Sequence, residues 1–235
     1  MKNALYMDNS YVKEFEAVVE SVKDYKYIVL NQTAFYPLGG GVSCDNGVLI
    51  KDNEEFPVIY VAKFNEIISH EVSKAGLKAG DKVVGKIDWE RRYKLMKLHT
   101  TAHILAAVFH TKGKAQITGN QIETEKSRMD FSLENFDRNM VDEYFKIANN
   151  LVQNDAPVKI SYMKREEVLK IPDMVKLANK MPPDVGILRI VEIEGIDKQA
   201  DGGCHVNSIK EIGKIYLIKV ENKGKSNRRV YFDVR

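Results

Sequence analysis

Two histidines four residues apart, His99 and His103, have the spacing that most clearly indicates chemistry in this sequence. Four residues are slightly more than one helical turn, so both imidazoles would project from the same face of a helix. Two imidazole nitrogens make half of a tetrahedral zinc site. A distant segment, Asp201-Gly-Gly-Cys-His205, adds a carboxylate, a thiol and a third imidazole. Together the two segments predict a zinc site formed by His99, His103, His205 and one further ligand.

The fourth ligand has three candidates: Asp201, a water molecule and Cys204. A thiolate is the softer donor and suits zinc, but Cys204 adjoins His205, and neighbouring side chains on an extended chain point to opposite faces. Asp201 lies four residues before His205, across a glycine pair that lets the chain fold back. We therefore favour Asp201, or a water in its place. His110 is excluded because seven helical residues place it about 10 Å from His103.

Two well-known catalytic signatures are incomplete in this chain. Zinc peptidases of the His-Glu-x-x-His type need a glutamate after the first histidine, and Thr100 occupies that position. The glycine run Gly39, Gly40 and Gly41 lacks the Gly-Lys-Ser/Thr of a phosphate-binding loop. The sequence therefore indicates neither this class of peptidase nor a nucleotide-binding loop of that type.

The composition is that of an ordinary globular protein, with 44% hydrophobic and 29% charged residues. No apolar run approaches the roughly 20 residues of a membrane span, and the first residues lack the apolar core of a signal peptide. Two cysteines form no disulfide framework, which fits a reducing compartment. We expect a cytoplasmic protein with no membrane contact.

The formal net charge of +3 is unevenly distributed. Residues 210–235 contain eight basic and three acidic side chains, interleaved with aromatic residues. Such a segment is able to contact phosphates. A solvated edge strand protected by lysines has the same composition, and charge alone favours this second interpretation.

The hydrophobic period changes near residue 88. Strand-length pieces before that point predict a small β-barrel, with a loop at Pro37 and the glycine run. They are Phe15–Val22, Tyr25–Leu30, Val48–Ile50, Val58–Val61 and Val83–Ile87. From the N-cap candidate Asp88, apolar residues recur every three or four positions as far as Phe109. This stripe predicts a helix that ends at Gly113 and carries both histidines on the flank of its buried face.

In the remainder of the chain, segments with the two-residue period of strands alternate with segments that have the 3.6-residue period of helices. Strands are expected near residues 115–124, 127–132, 158–163, 187–193, 211–220 and 228–234, and helices over 135–153 and 165–181. The predicted fold class is α+β. A β-barrel domain over residues 1–87 would be followed by a domain over 88–235 in which helices pack on an antiparallel sheet.

Five motifs carry a resemblance to a known family. They are Thr33–Gly41, Asp45–Gly47, His99–His103, Gln116–Asn120 with Arg128–Phe131, and Asp201–Val206 with Glu211–Gly213. Together they resemble the free-standing alanyl-tRNA editing proteins, the AlaX group, which are related to the editing domain of alanyl-tRNA synthetase. The glycine-rich motif resembles the medium-length members. Three positions depart from the pattern: Val42 replaces a frequent glutamine, Asp201 a frequent cysteine and Cys204 a usual threonine.

The resemblance implies zinc-dependent hydrolysis of the ester that joins a wrong amino acid to tRNA(Ala). Mischarged tRNA(Ala) would be the partner, with serine as the main misplaced residue and the preference between serine and glycine left open. A site that selects alanine cannot strongly exclude smaller glycine or similar-sized serine by packing, so a second hydrolytic site is needed. By the same resemblance, Thr118 is predicted to recognise the serine hydroxyl.

A tRNA partner also makes exposed cations candidates for phosphate contact. The candidates are Arg91, Arg92, Lys223, Lys225, Arg228 and Arg229. Two other functions stay open at this point. One is a zinc-stabilised RNA-binding module with a closed four-ligand site, and the other is a zinc hydrolase that acts on a small ester or amide.

Overall fold

A computed structural model describes residues 4–133, 137–171 and 184–235. The fold class is α+β, as predicted. The chain divides into two compact units, Met1–Leu95 and Met96–Arg235. Within the described ranges, every helix is too short or too polar to cross a membrane.

The first unit begins with a short helix, α1 (Leu5–Asp8), and continues as six strands. These are β1 (Glu14–Lys23), β2 (Tyr27–Leu30), β3 (Gly47–Lys51), β4 (Glu54–Phe64), β5 (Ile67–Val72) and β6 (Lys82–Ile87). They close into an antiparallel barrel with the order β1-β2-β5-β4-β3-β6, which confirms the predicted barrel. Phe15, Ala17 and Val19 of β1 point inward, as the two-residue strand period requires.

Strand β5 is the barrel strand that sequence reasoning missed. Its buried positions are His70 and Val72, and its other apolar residues are half-buried or exposed. A histidine at an inward position hides the apolar alternation on which strand prediction depends. His70 Nδ1 bonds to the carbonyl of Ile28 at 3.0 Å, and its Nε2 lies 2.8 Å from Thr33 Oγ1. The buried ring is therefore fully hydrogen-bonded.

The glycine-rich segment forms a tight turn in the first unit. Gly39 and Val42 exchange two backbone hydrogen bonds, at 2.8 and 3.2 Å. Gly40 and Gly41 have φ values of +59° and +81°, a region in which side chains other than hydrogen are strained. Tyr36 supports the turn by donating its hydroxyl proton to the carbonyl of Gly39 at 3.0 Å.

Arg92 anchors the same segment from inside the first unit. Its side chain is 1% exposed and pairs with both carboxylate oxygens of Asp45, and it also donates to the carbonyls of Ser10 and Ala34. Asp45 in turn accepts the N–H of Tyr36 at 2.6 Å. The prediction that Arg92 contacts a tRNA phosphate is therefore wrong, because its guanidinium is buried and bound to protein groups.

The second unit contains most of helix α2 (Trp89–Gly113) and two antiparallel sheets. Its other elements are β7 (Ile117–Gln121), β8 (Ser127–Ser132), α3 (Arg138–Val152), β9 (Val158–Lys164), α4 (Arg165–Val168), β10 (Ile187–Ile193), β11 (Asp197–Ala200), a 3-10 helix (Ile209–Ile212), β12 (Ile215–Asn222) and β13 (Asn227–Val234). One sheet has the order β11-β10-β9 and the other β12-β13-β8-β7.

Helix α2 is the central element of the second unit. Asp88 caps it by accepting the N–H of Arg91 at 3.1 Å, as predicted. From Leu95 to Phe109 every residue except Lys97 is buried, whereas the sequence predicted a one-sided apolar stripe. Phe109 stacks on Phe131 of β8 with centroids 4.1 Å apart. The histidines consequently lie in the core rather than at its boundary.

Three predicted elements differ in their bounds. The 3-10 helix replaces the start of the strand predicted from Glu211, because Ser208 and Glu211 form a capping box there. Helix α3 begins at Arg138, where Asp137 accepts the N–H of Asn139, and residues 134–136 lie outside the described residues. Helix α4 ends at Val168. Residues 172–183 of the predicted helix 165–181 and its flank also lie outside the described residues.

Candidate metal centre

Four side chains from two distant segments converge in the second unit. One ligand atom from each of His99, His103, Asp201 and His205 lies within 4.8 Å of all the others. The ring centroids of the three histidines are 4.2 to 5.2 Å apart. Cys204 is buried but does not belong to this group. Of the three fourth ligands considered from the sequence, Asp201 is thus the side chain that reaches the histidines.

A buried carboxylate fixes the tautomer of His103. Its Nδ1 lies 2.8 Å from Oδ2 of Asp197, which also accepts a hydrogen bond from Gln199 at 2.9 Å. Nδ1 must therefore carry the proton, and Nε2 keeps its lone pair. A carboxylate behind a histidine is the arrangement that orients metal-binding imidazoles and raises their basicity.

A hydroxyl fixes the tautomer of His205 in the same way. Thr100 donates its proton to the carbonyl of Met96 at 2.9 Å, the usual bond of a threonine inside a helix. Its oxygen then accepts from His205 Nδ1, 3.1 Å away. The lone pair of His205 Nε2 is left to face Asp201 Oδ1 at 3.1 Å.

Two of the remaining contacts bring an acceptor against an acceptor, at His205 and at His103. His205 Nε2 lies 3.1 Å from Asp201 Oδ1 and His103 Nε2 lies 3.9 Å from Asp201 Oδ2, while His99 Nε2 lies 3.6 Å from the same Oδ2. An unprotonated imidazole nitrogen and a carboxylate oxygen repel each other unless a positive centre lies between them. The donor set of three imidazoles and one carboxylate fits Zn²⁺, which binds such groups at about 2.0–2.2 Å.

Gly203 leaves room for the His99 ring. A Cβ at this position would come within 2.3 Å of His99 Cε1, 2.6 Å of Nδ1 and 3.0 Å of Asp201 Oδ1. The N–H of Gly203 donates to Asp201 Oδ1 at 2.6 Å, the oxygen that also faces His205, and Oδ2 is directed at His99 and His103. His99 Nδ1 is buried and has no hydrogen-bond partner among the described residues.

Burial sets the charge state of the centre. It lowers the pKa of His99 to about 4 and that of His205 well below its usual 6.5, and the neighbouring imidazoles add to both shifts. Burial alone would raise the pKa of Asp201, but the surrounding histidines outweigh it and hold that pKa well below 3.8. At neutral pH His99 and His205 are therefore neutral and Asp201 is ionised, the forms that ligate metals.

The centre is covered on its histidine side and open at Asp201. The three histidines are 3–7% exposed, whereas the side chain of Asp201 is 20% exposed. Arg189 of β10 holds the backbone there, because its Nη1 donates to the carbonyl of Asp201 at 2.8 Å and its own carbonyl accepts the Asp201 N–H. A small group approaching from solvent would meet Asp201 first.

Comparison with known proteins identifies the family of this chain. Residues 3–91 match the family described as "tRNA synthetases class II (A)", and residues 188–231 match the "Threonyl and Alanyl tRNA synthetase second additional domain". The chain is 48% identical to the alanyl-tRNA editing protein AlaX-M of Methanosarcina barkeri, covering 99% of this chain and 98% of that protein. It is 46% identical to AlaX-M of Saccharolobus solfataricus over the full length of both. This chain belongs to the AlaX-M family of alanyl-tRNA editing proteins.

The AlaX-M chain is also similar to part of a larger enzyme. It is 38% identical to the alanine–tRNA ligase of Methanococcus maripaludis over 88% of its own length, which is 23% of the ligase. The family predicted from the five motifs is therefore confirmed. The match ends at Arg91 for one family model and begins at Leu188 for the other, so the histidine helix lies almost entirely between them.

Thr118 occupies an exposed position on β7 of this AlaX-M protein. Its hydroxyl donates to Asn227 Oδ1 at 2.8 Å, and it is not among the four residues of the metal centre. Its oxygen retains lone pairs that are able to accept a further hydrogen bond. Recognition of a serine hydroxyl by Thr118 stays a prediction.

The predicted phosphate-binding cations fall into two groups. Lys223 and Lys225 are exposed in the turn between β12 and β13, and Arg91 and Arg229 are half-buried. Arg91 donates to the carbonyl of Cys44, and Arg229 makes a bidentate pair with Asp130 at 2.7 and 2.8 Å. These four remain candidates.

Arg228, like Arg92, is buried and bound to protein groups. It is 6% exposed, and its Nη1 donates to Asn222 Oδ1 at 3.0 Å and to the carbonyl of Gly224 at 2.7 Å. Its guanidinium therefore holds the turn between β12 and β13 together. The prediction that it contacts phosphate is wrong for this physical reason.

Sequence reasoning missed the residues that support the ligands. From the sequence, Thr100 was used only to exclude a zinc peptidase, although its position next to His99 is a signal that it could support a ligand. Asp197 lies four residues before Asp201 on a strand, β11, that was not predicted, and nothing in its local pattern distinguishes it from a surface aspartate. Arg189 interrupts the apolar run of β10, and a cation within a buried strand is a signal of a buried contact.

Proposed function

We propose that this AlaX-M protein is a trans-editing hydrolase that removes the wrong amino acid from mischarged tRNA(Ala) in the cytoplasm. Its main substrate would be Ser-tRNA(Ala), and its cofactor Zn²⁺ at the candidate metal centre. One observation carries the proposal: ligand atoms of three imidazoles and one carboxylate lie within 4.8 Å of one another in a chain that shares 48% identity with an alanyl-tRNA editing protein.

His99, His103, His205 and Asp201 would hold the ion. A bound Zn²⁺ would supply Lewis acidity toward the ester carbonyl and lower the pKa of a water molecule. Asp197 orients His103, and Thr100 orients His205, so both rings are locked before substrate arrives. Preorganised ligands of this kind lower the cost of reaching the reactive geometry.

Hydrolysis adds a water oxygen to the ester carbonyl and returns a proton to the departing ribose oxygen. Asp197 accepts hydrogen bonds from both His103 and Gln199, and Asp201 would serve as a metal ligand. Neither carboxylate is therefore available as a general base. We propose that the vicinal hydroxyl of the substrate's own terminal ribose relays the proton. The chain would then bind, orient and exclude bulk water without supplying a separate carboxylate base.

Discrimination against alanine would depend on a hydrogen bond rather than on size. A site built to bond the serine hydroxyl leaves a polar group unpaired when alanine enters, which costs more than a missing methyl group. We propose Thr118 for this role. Its contact with Asn227 fixes the direction of its proton and leaves the oxygen as an acceptor.

The alternative is a structural zinc site in an RNA-binding module. It has one observation in its favour, because four protein donors fill a tetrahedral ion, as in structural sites. The exposure of the Asp201 side chain, 20% against 3–7% for the histidines, favours exchange of that ligand for water or substrate. The two functions differ in whether the protein releases an amino acid.

The test is the release of serine from purified, metal-loaded protein incubated with Ser-tRNA(Ala), alongside Gly-tRNA(Ala) and Ala-tRNA(Ala). We expect rapid release of serine and little release of alanine. His103→Ala should lose both the bound metal and the activity. His110→Ala is the matched control, because His110 lies on the same helix outside the metal group and should keep both.

Removal of the metal provides the second arm. A chelator should abolish serine release, and Zn²⁺ should restore it. Release of serine by metal-free protein would remove zinc from the mechanism. Binding of tRNA without release of any amino acid, by fully metallated protein, would favour the RNA-binding module.

A further inference from the structure

The three-stranded sheet has one face that carries the metal centre. In β10 and β11 five residues of this face are buried, and they are Arg189, Val191, Ile193, Asp197 and Gln199. Asp197 bonds to His103 and Arg189 to the backbone of Asp201. The opposite face packs its own small core of Val168, Leu188 and Ile190. The two faces therefore have separate roles.

Strand β9 extends the metal-bearing face to the edge of the sheet. Tyr162 pairs directly with Arg189, and Ile160 with Val191. Directly opposed residues of an antiparallel pair place their side chains on the same face, with Cβ atoms about 4.5–5.5 Å apart. Tyr162 thus lies one strand away from Arg189, which contacts the metal loop, and Ile160 lies on the same face beside Val191.

The β9 residues Tyr162 and Ile160 of this face are exposed, although the neighbouring residues Arg189 and Val191 of β10 are buried. Tyr162 is 52% exposed, Ile160 37% and Ile187 64%, compared with 5% for Arg189 and 0% for Val191. Ile187 belongs to the same face, opposite Lys164. We call Ile160, Tyr162 and Ile187 the β9 shelf. It is an apolar surface that lies across Arg189 from Asp201, the most exposed ligand of the centre.

We propose that the β9 shelf binds the base of the terminal nucleoside of the aminoacylated tRNA, with the base against the Tyr162 ring. This inference rests on the proposed function, because it assumes that the ester-bearing ribose lies at the metal centre. The base attached to that ribose must then lie near the centre. Asp201 bonds to the backbone of Arg189 on one side of β10 and Tyr162 pairs with Arg189 on the other, so Tyr162 lies two strand spacings, about 10 Å, from Asp201. Aromatic rings bind unpaired bases by stacking.

The charge around the shelf fits a nucleotide. Lys164 is exposed on the same face and lies opposite Ile187, where it can meet the phosphate that precedes the terminal nucleoside. The shelf has only three apolar side chains, whereas a stable protein interface needs about 800 Å² on each partner. A single base is therefore the occupant whose size matches the surface.

The proposal is tested with a non-hydrolysable ligand. The probe is 3′-serylamino-3′-deoxyadenosine, in which an amide replaces the ester, and its counterpart lacks the adenine. Isothermal titration of metal-loaded protein measures both dissociation constants for the unaltered protein and for Tyr162→Ala, Tyr162→Phe and Tyr60→Ala. Tyr60 lies on β4 of the barrel and is 40% exposed, so it controls for removal of an exposed tyrosine.

We expect removal of the adenine to weaken binding to the unaltered protein about 5- to 150-fold, the range found for a stacked base. Tyr162→Ala should bind the two probes equally, whereas Tyr162→Phe and Tyr60→Ala should keep the full difference. The Michaelis constant for Ser-tRNA(Ala) should rise in Tyr162→Ala by a similar factor, with metal content and kcat unchanged.

Two results would overturn the proposal in distinguishable ways. If the adenine strengthens binding as much in Tyr162→Ala as in the unaltered protein, the shelf is not the base site, although the editing function stands. If the unaltered, metal-loaded protein neither binds the probe nor releases serine, the proposed function itself fails and takes the shelf with it.

Discussion

Thr100 and His205 are joined by a hydrogen bond whose direction is set from within the helix. The Thr100 proton goes to the carbonyl of Met96, so its oxygen has only acceptor capacity left for His205 Nδ1. The distance between the two atoms is 3.1 Å. One threonine on α2 thereby determines which nitrogen of a histidine 105 residues away is free to bind a metal.

Thr100→Val should weaken metal binding about 10- to 100-fold, the usual effect of removing a group that orients a ligand. Competition with a chelating dye measures the affinity. Thr101→Val is the matched control, since Thr101 makes the same kind of bond, to the carbonyl of Lys97 at 2.8 Å, on the next residue. Equal weakening in both variants would show that the effect is helix destabilisation rather than ligand orientation.

Gly203→Ala should abolish stoichiometric metal binding. The added methyl group would lie within 2.3 Å of a His99 ring atom, so either the ring or the Asp201–His205 loop must move. Gly186→Ala is the control, because no described atom lies within 4 Å of a Cβ there. Elemental analysis of the purified proteins gives the answer, and a fully metallated Gly203→Ala protein would contradict the assigned geometry.

Replacing the exposed Lys223 or Lys225 should affect tRNA binding, whereas replacing the buried Arg92 should affect the stability of the fold. Lys223→Ala and Lys225→Ala should lower the salt dependence of tRNA(Ala) binding, by about 0.9 in the log–log slope for each phosphate that the variant no longer neutralises. Arg92→Met should leave that slope unchanged and destabilise the fold by about 3–5 kcal/mol, because Asp45 would remain buried without its partner.

Filter binding over a range of salt concentrations and urea unfolding measure these two quantities. A salt slope that falls in Arg92→Met, with the unfolding free energy preserved, would restore Arg92 as a phosphate contact. A slope that is the same in the unaltered protein and in both lysine variants would exclude the β12–β13 turn from tRNA binding.

Thr118→Val should reduce selectivity without affecting the metal. One hydrogen bond to the substrate is worth about tenfold in kcat/KM, so the ratio of serine to alanine turnover should fall by about that factor. Thr118→Ser should restore it, since the hydroxyl returns. An unchanged ratio in Thr118→Val would remove Thr118 from substrate recognition.

His70 should make the metal-free protein less stable in mild acid. Burial lowers its pKa to about 4 in the folded barrel, compared with about 6.5 in an unfolded chain. As the pH falls from 6.5 towards 4, the unfolded state takes up a proton that the folded state does not, and stability declines by about 3 kcal/mol. Urea unfolding of unaltered protein and His70→Gln at several pH values isolates this contribution as the difference in slope.

For His70→Gln we expect the free energy of unfolding to fall less steeply between pH 6.5 and pH 4 than in the unaltered protein, whatever its value at neutral pH. Parallel declines in the two proteins would mean that His70 titrates normally. The other buried histidines are present in both proteins, so their contributions cancel in the comparison.

The barrel, the histidine helix and the pairing of His99 with His103 were predictable because each has a local pattern. The apolar alternation in β1 and the four-residue spacing of His99 and His103 are visible in the sequence itself, without knowing which residues pack against them. Asp197, Arg92 and Arg228 were not predictable, because their roles depend on which groups lie across the fold. A charged residue in a sequence is equally compatible with a solvated surface and with a buried pair, and the burial of both arginines reversed the prediction.

The distance in sequence between the two halves of the metal centre has a consequence for synthesis. His99 and His103 emerge from the ribosome about a hundred residues before Asp201 and His205. A nascent chain therefore holds an isolated histidine pair, a weak binder of any divalent ion, until residue 205 has been added. Asp197, which orients His103, belongs to the same later segment, so neither the ligands nor their support are complete until residue 205 has been synthesised.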